Sequence, residues 1–245
     1  MILFTTLRKA SAVLLAAFIF MVVQAPITSS EIALLNVRAA QTGAKTDPQP
    51  TPRKTSQPYT GDLSIFEGKD RDKKLQVQRV MDILGIKKGT HVADIGAGSG
   101  WFAIRAAKRV GSTGIVYAVD INPESIDYIN RRTQREGIGN VHAILSEEDD
   151  PRLSRNSIDS VLLLKTYHEV AHPVLLLENL RRALRSGARI GIIDRNGKGD
   201  DHGVSRDVVI QEAAQAGYQL QEQYDFVKGD GQDYFLVFRS NSAPK

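Results

Sequence analysis

Apolar positions follow two different spacings that alternate from about residue 70 to the C-terminal end of the chain. Short runs rich in Val, Ile and Leu are typical of buried strands, whereas longer stretches with apolar residues every three or four positions are typical of amphipathic helices. The short runs predict strands at 91–95, 115–119, 141–145, 158–164, 188–194, 219–226 and 232–239. The longer stretches predict helices at 70–86, 101–110, 123–136, 173–185 and 204–216.

The order of these elements predicts an α/β fold with a doubly wound, seven-stranded sheet. Strands that alternate with helices pair in parallel through right-handed crossovers. The last two strands differ, because only a short connection containing residues 228–231 separates them. We therefore expect a mostly parallel sheet that ends in a C-terminal antiparallel hairpin.

The first predicted strand contains Asp94 and runs into three glycines at alternate positions, Gly96, Gly98 and Gly100. Glycines allow positive φ and let the backbone approach a ligand closely, and the helix that follows presents free N–H groups that suit a carboxylate. A second acid, Asp120, ends the next strand, where it is placed to accept hydrogen bonds from ribose hydroxyls. The pattern predicts a nucleoside cofactor.

The spacing of the glycines argues against a dinucleotide. A Gly-x-Gly-x-x-Gly fingerprint that starts at Gly96 and Gly98 would require a glycine where the chain has Trp101. A phosphate-binding Gly-Lys-Ser/Thr sequence is also missing from this loop. The loop therefore does not favour a pyrophosphate.

Several motifs resemble those of the class I S-adenosylmethionine-dependent methyltransferases. The Asp-x-Gly-x-Gly-x-Gly pattern at 94–100 is similar to the first motif of that family, and Val-Tyr-Ala-Val-Asp-Ile-Asn-Pro-Glu at 116–124 is similar to its ribose-binding segment. Leu-Arg-Ser-Gly-Ala-Arg-Ile at 184–190 resembles a structural turn of the family. The resemblance covers most of residues 61–240 and is strongest to bacterial methyltransferase-domain proteins that carry an export signal.

This resemblance implies a Rossmann-like fold and S-adenosyl-L-methionine as the cofactor. The first carboxylate and the glycine loop would hold the methionine part of the cofactor, and the acidic loop at 147–151 would meet the adenine. The resemblance implies a cofactor site formed by Asp94, Gly96, Gly98, Gly100, Asp120, Ile121, Asp149 and Lys165.

Tyr167 and His168 follow the fourth predicted strand, at the sheet edge where open α/β folds bind ligands. They are the candidate catalytic residues. His168 is interpreted either as a general base or acceptor-orienting group, or as a hydrogen-bonded loop residue. For Tyr167 the alternatives are aromatic contact with the cationic sulfonium and plain packing. Asp194 and His202 could form the substrate side.

Residues 168–172 also form the sequence His-Glu-x-x-His. This motif binds zinc when both histidines project from one face of a helix. The segment follows a strand, and Pro173 biases His172 away from helical geometry. We therefore expect no metal at this motif and keep a zinc hydrolase only as the least favoured function.

The N-terminal residues predict a targeting segment. Arg8 and Lys9 precede a charge-free run at 10–23, which is typical of a signal peptide or an uncleaved anchor within residues 1–30. Residues 31–60 contain a stretch rich in Thr, Pro, Gln and Lys that is expected to be a disordered linker. The methyltransferase domain is expected at 61–240. The protein is thus predicted to be exported or anchored in the inner membrane, with membrane contact only through this segment.

Charge argues against a nucleic-acid partner. Of 32 Lys and Arg and 28 Asp and Glu, six and two respectively lie in the first 60 residues, which leaves 26 of each sign in the domain. A formally neutral domain lacks the main driving force for binding a phosphate backbone.

The expected function is methyl transfer to a small-molecule or lipid-like acceptor, and a non-catalytic cofactor-binding protein of the same fold is the alternative.

Overall fold

The computed structural model describes residues 52–55, 59–198 and 201–241, which fall within the compact unit Pro50–Lys245. The predicted leader at 1–30 and most of the predicted linker lie outside the described residues. No helix among the described residues is both long enough and apolar enough to cross a membrane.

One seven-stranded sheet organises the domain, as predicted. Its strands are β1 His91–Ile95, β2 Ile115–Asp120, β3 Val141–Leu145, β4 Ile158–Leu164, β5 Leu184–Arg195, β6 Tyr218–Tyr224 and β7 Asp233–Ser240. They lie in the order β3-β2-β1-β4-β5-β7-β6. The first five pair in parallel, and β7 is antiparallel to both of its neighbours. The chain leaves β1 in one direction toward β3 and returns on its other side at β4, so the position where open sheets bind ligands lies between β1 and β4.

Six α-helices accompany the sheet among the described residues. They are α1 Arg71–Leu75, α2 Val77–Ile83, α3 Trp101–Val110, α4 Pro123–Glu136, α5 Pro173–Ala183 and α6 Arg206–Gln215. The single helix predicted at 70–86 is wrong, because Gln76 adopts a left-handed conformation with φ of 50° and separates α1 from α2. Helix α5 ends at Ala183, two residues earlier than predicted, because Leu184 is extended and pairs with Ile158 of β4.

The hydrophobic core lies on both faces of the sheet. Successive residues of β4 point to opposite faces, so Leu162 packs with Met81 and Trp101 in one cluster and Leu163 packs with Leu180 in the other. Both clusters are buried. This explains why the parallel strands are continuous apolar runs in the sequence and do not alternate.

Candidate functional site

A cavity of about 830 Å³ opens at the carboxyl ends of the central strands. Its floor includes the glycine loop after β1, the end of β2 and the turn after β4. A wall of the cavity is apolar and comes from Tyr59, Leu63, Ile65 and Phe66, which precede α1. The volume lies in the upper part of the range of about 300–1,000 Å³ that small-molecule sites occupy, which leaves room for a cofactor and an acceptor.

Glycines at 96 and 98 shape the loop for different reasons. Both have positive φ, 70° at Gly96 and 53° at Gly98. A Cβ on Gly96 would lie 2.2 Å from Thr166 Oγ1, so the loop can pass the turn after β4 only without a side chain. A Cβ on Gly98 would meet no protein atom within 4 Å, and Gly98 lines the cavity. Gly98 therefore leaves open space at the place where a ligand would lie.

Gly100 has a structural role instead. A Cβ there would lie 3.0 Å from Ile129 Cγ1 of α4, and Gly100 is not among the residues that line the cavity. Gly100 is the residue directly before α3, and its lack of a side chain lets that helix approach α4 closely. Of the three predicted glycines, Gly96 and Gly98 thus face the cavity and Gly100 supports the loop from behind.

Asp94 lies at the base of the cavity and is 2% exposed. Its Oδ2 accepts a 3.0 Å hydrogen bond from the backbone N–H of Ala103 in the first turn of α3. Burial raises the pKa of Asp94 to about 7, and the nearby Asp120 adds to the shift, while the Ala103 hydrogen bond and the guanidinium of Arg71 oppose it. Asp94 is thus a carboxylate whose negative charge is poorly solvated, as suits a site for a cationic ligand group.

Asp120 ends β2 and lines the same cavity. Its Oδ2 accepts a 2.7 Å hydrogen bond from Gly98 N–H, and its Oδ1 accepts one of 2.9 Å from Asn122 N–H. Burial raises its pKa, and these backbone hydrogen bonds oppose the shift. Each carboxylate oxygen can accept a further hydrogen bond, so Asp120 can hold the loop and bind a hydroxyl group at the same time. Ile121, beside it, is 46% exposed and also lines the cavity.

His168 lies on the 3₁₀ turn Tyr167–Glu169 and is held by Asp194 at the end of β5. Its Nδ1 lies 2.9 Å from Asp194 Oδ1 and 3.0 Å from Oδ2, and its backbone N–H donates to Asp194 Oδ2 at 3.0 Å. Asp194 is fully buried. Since a carboxylate only accepts, Nδ1 carries a proton, and in the neutral ring Nε2 is left with its lone pair. Asp194 therefore fixes the ring and its tautomer.

Glu169 and His202 join His168 at this end of the cavity, which all three line. Glu169 Oε1 lies 3.7 Å from His168 Nε2. Burial raises the pKa of Glu169 to about 7, with smaller contributions from Asp120 and Asp194 and an opposing one from His168. Sequence reasoning did not assign Glu169 to the site. Its position one residue after His168, beyond the end of β4, was the available indication.

Tyr167 does not line the cavity, so it does not carry the aromatic contact that was one of its two interpretations. It is fully buried in the core, and its hydroxyl donates a 2.9 Å hydrogen bond to Glu212 Oε2. The guanidinium of Arg53 lies over the ring and pairs with Glu212 at 2.9 Å. Arg53 also donates to the backbone carbonyls of Tyr167 and, at 2.9 Å, of Val170. A residue from the predicted linker thus holds the turn that carries His168.

The two remaining predicted cofactor residues, Lys165 and Asp149, differ in whether they line the cavity. Lys165 lines the cavity, but its Nζ pairs with Asp233. Asp149 does not line the cavity, and its carbonyl accepts a 2.8 Å hydrogen bond from Asn179 Nδ2. Its neighbours Glu147 and Glu148 line the cavity instead. The acidic loop is therefore at the site, although Asp149 is not the residue that faces it.

Arg71 and His172 lie near the same residues. Arg71 lines the cavity, with its guanidinium 4.4 Å from the centroid of the Trp101 ring. His172 precedes Pro173, the first residue of α5, and no helix carries both histidines of the His-Glu-x-x-His sequence. The predicted non-helical backbone of His172 is confirmed.

A family model described as "Methyltransferase domain" matches residues 86–228, and the chain belongs to this family. It is 30% identical over 119 residues to a protein-L-isoaspartate O-methyltransferase of Pyrococcus horikoshii and 29% identical over 122 residues to a ubiquinone/menaquinone biosynthesis C-methyltransferase UbiE of Hydrogenovibrio crunogenus. Each match covers 49% of this chain, and they cover 52% and 48% of the two relatives. The chain thus spans about half the length of these curated relatives.

Solved structures show the same architecture. A SAM dependent methyltransferase from Aquifex aeolicus superposes with a TM-score of 0.66 at 26% identity, over 73% of this chain and 98% of that one. A geranyl diphosphate methyltransferase in complex with GPP and sinefungin gives a TM-score of 0.57 at 18% identity, over 68% and 78% of the two chains, and shows the fold alone. The predicted class I methyltransferase family and its cofactor, S-adenosylmethionine, are confirmed. The predicted likeness to exported members remains a prediction.

Proposed function

We propose that the protein transfers a methyl group from S-adenosylmethionine to a small or lipid-like acceptor that reacts through an ionisable oxygen or an acidic carbon. The observation that carries this proposal is that the glycine loop and the His168–Asp194 pair open into one cavity. A cofactor protein without catalysis would need only the first of these. A histidine oriented by a fully buried carboxylate is suited to accept a proton from the acceptor.

The cofactor is assigned to the β1–β2 side of the cavity. The loop at Gly96 and Gly98, with Asp94 beneath it, would hold the methionine part, whose ammonium group suits a poorly solvated carboxylate. Asp120 would accept hydrogen bonds from the ribose, and Ile121 would pack on the adenine. All five of these residues line the cavity, and they come from β1, from β2 and from the segments that directly follow these two strands.

The acceptor is assigned to the rest of the cavity. Its reactive atom would lie near His168, and its apolar body would contact the wall formed by Tyr59, Leu63, Ile65 and Phe66. Two of these side chains are exposed, Ile65 at 58% and Tyr59 at 41%, so their apolar surfaces are accessible to an acceptor. The relatives include both an O-methyltransferase and a C-methyltransferase, which supports oxygen or carbon as the methylated atom.

The transfer needs alignment more than covalent chemistry by the protein. The acceptor would pass its proton to His168 Nε2 and attack the methyl carbon, the S–CH₃ bond would break with its electron pair going to sulfur, and S-adenosylhomocysteine would leave. Holding the two reactants in a near-attack arrangement supplies much of the rate. The imidazolium formed at His168, held by Asp194, would stabilise the anionic acceptor.

Two measurements test the proposal. Calorimetry with S-adenosylhomocysteine should give one site per chain, and incubation with methyl-labelled cofactor and fractionated metabolite extracts should label a product. His168→Ala should bind S-adenosylhomocysteine normally and fail to label the product. Binding without any labelled product would favour the non-catalytic cofactor-binding alternative, and lack of binding would reject both.

A further inference from the structure

Three side chains of the kinds that bind metal ions converge at the acceptor end of the cavity. His168 and Glu169 come from the turn after β4, and His202 comes from the loop after β5. One potential ligand atom from each lies within 4.8 Å of the other two. The rings of the two histidines meet edge to face with centroids 5.9 Å apart. Residues distant in sequence are thus brought to one point in the cavity wall.

The spacing is close to what one ion requires. Two atoms that bind a tetrahedral zinc ion at about 2.0–2.2 Å lie roughly 3.4 Å from each other. The distance from His168 Nε2 to Glu169 Oε1 is 3.7 Å. A change of a few tenths of an ångström would place both on one ion, and a side-chain rotation of the more exposed His202 would add the third.

The support behind His168 is an independent observation. Metal-binding histidines commonly donate their other ring N–H to a carboxylate, which fixes the tautomer and makes the binding nitrogen more basic. Asp194 provides this contact at 2.9 Å and is fully buried. The remaining lone pair, on His168 Nε2, lies beside the Glu169 carboxylate.

The charges around His168 and Glu169 also favour a bound cation. The Nε2 lone pair and the Glu169 carboxylate are both electron-rich and would repel each other at 3.7 Å unless a proton or a metal ion lies between them. Two basic side chains line this cavity, and neither is paired with Glu169: Lys165 pairs with Asp233, and Arg71 lies over the Trp101 ring.

We propose that His168, Glu169 and His202 bind one divalent transition-metal ion, with zinc as the first choice, whose open coordination position faces the acceptor. Two imidazoles and one carboxylate suit zinc, iron(II) or manganese(II) better than magnesium or calcium, which prefer oxygen ligands alone. The site differs from a His-Glu-x-x-His zinc site, because Glu169 is a ligand and His172 takes no part.

The role of the ion rests on the proposed function. With the ion bound, His168 Nε2 is a ligand and no longer the proton acceptor, and an acceptor hydroxyl at the open position would have a lower pKa and would release its proton to water. The resulting oxygen anion forms the O–CH₃ bond as the S–CH₃ bond breaks and its electron pair goes to sulfur. No oxidant or reductant is required. The site would thus select acceptors with a metal-binding oxygen, such as a phenolate or an enolate.

Zinc binding by the full chain tests this inference directly. The protein should be purified through a tag that contains no histidine, stripped with a chelator and titrated with Zn²⁺ against a competing chelating dye. We expect one Zn²⁺ per chain with a dissociation constant in the micromolar range or below. Glu169→Gln and His202→Ala should each weaken binding at least tenfold, and circular dichroism should verify that both variants fold.

His172→Ala is the matched control, because it removes a nearby histidine that lies outside the cluster. Its Zn²⁺ affinity should equal that of the wild type. The inference would be overturned by a wild type without stoichiometric Zn²⁺, by unchanged affinity in Glu169→Gln and His202→Ala, or by a loss confined to His172→Ala.

Calorimetry with S-adenosylhomocysteine on the metal-free protein separates the two proposals. Binding of S-adenosylhomocysteine without binding of Zn²⁺ would remove the metal site and leave the proposed function intact. A metal-free protein that fails to bind S-adenosylhomocysteine, although it folds, would count against the proposed function whatever the zinc titration gives.

Discussion

The backbone N–H of Gly98 donates a 2.7 Å hydrogen bond to the carboxylate of Asp120. One side chain at the end of β2 therefore fixes the glycine loop at the end of β1 before any ligand arrives. The same carboxylate also holds Asn122 N–H, just before α4. Binding of a ribose at Asp120 would consequently be coupled to the shape of the loop that holds the rest of the cofactor.

Asp120→Ala should weaken binding of S-adenosylhomocysteine by roughly 1–3 kcal/mol, because it removes charge-assisted hydrogen bonds to the ribose. It should also reduce the free energy of unfolding by about 1–2 kcal/mol, since Gly98 N–H loses its acceptor. Calorimetry and urea denaturation measure the two effects. Asp120→Asn keeps one acceptor oxygen and should show smaller losses in both. An unchanged affinity in Asp120→Ala would reject the ribose assignment.

Gly98→Val should abolish cofactor binding and leave the circular dichroism spectrum close to native. The added side chain would enter the cavity, because no protein atom lies within 4 Å of the Cβ position. Gly137→Val is a matched control, since Gly137 has a φ of 66° and similarly open surroundings at the end of α4. Both variants should lose comparable stability through backbone strain, while only Gly98→Val should lose binding. Loss of binding in both would point to strain as the cause.

The raised pKa of Asp94 predicts a pH dependence of stability. Its pKa is about 7 in the folded protein against 3.8 for the unperturbed group, so the folded protein binds the proton more tightly. The resulting stabilisation is complete below the unfolded pKa and is lost as the pH rises from about 4 to 7. Asp94→Asn removes this titration and should become progressively more stable relative to the wild type across that window. Urea denaturation between pH 4 and 8 measures the difference, and a constant difference would contradict the assignment.

Cofactor affinity should follow the ionisation of the same group. If the carboxylate of Asp94 receives the ammonium group of the cofactor, binding of S-adenosylhomocysteine should tighten as the pH rises to about 7 and level off above it. Calorimetry at pH 6, 7 and 8 measures this in the wild type. Asp94→Asn should bind S-adenosylhomocysteine more weakly and should lack the part of the pH dependence that comes from Asp94. Any pH dependence that comes from other groups should be the same in both proteins.

Asp194→Asn should lower turnover about 100-fold or more with little change in S-adenosylhomocysteine affinity. An amide cannot accept equally from the Nδ1–H and the backbone N–H of His168, so the ring would lose its fixed orientation. If the metal site exists, Zn²⁺ affinity should also fall by about 10–100-fold. Rescue of turnover by added Zn²⁺ would identify metal retention as the main defect. Full activity in Asp194→Asn would show that orientation of His168 is unimportant.

Arg53→Ala should destabilise the turn that carries His168. Arg53 pairs with Glu212 at 2.9 Å and donates to the Val170 carbonyl at 2.9 Å, so its loss leaves partly buried acceptors without their donor. We expect a loss of roughly 1–3 kcal/mol in the free energy of unfolding and a lower turnover number. Arg53→Lys keeps the charge but not the forked set of N–H donors, so its stability and turnover number should lie between those of the wild type and Arg53→Ala. Thermal denaturation and steady-state kinetics measure these effects.

The sequence by itself determined the fold and the cofactor side of the site. Apolar periodicity placed all seven strands to within four residues at each end, because buried parallel strands need continuous apolar runs. The glycine loop and Asp120 were predictable because the backbone there demands particular residues: Gly96 has no room for a side chain, and Asp120 must accept from the loop. Such constraints fix the residue type at each position, so they appear in the linear sequence although the contacts join distant residues.

The sequence named His168, Asp194 and His202, but only the tertiary structure decided how the residues of the proposed acceptor side are arranged. Tyr167 and His168 are adjacent in sequence, yet one is buried against Glu212 and the other faces the cavity, because the 3₁₀ turn directs neighbouring side chains apart. Asp194 and His202 reach His168 through the pairing of β4 with β5 and the loop that follows β5. These contacts join residues that are distant in the chain. Their chemistry depends on distances and burial that spacing in the sequence does not encode.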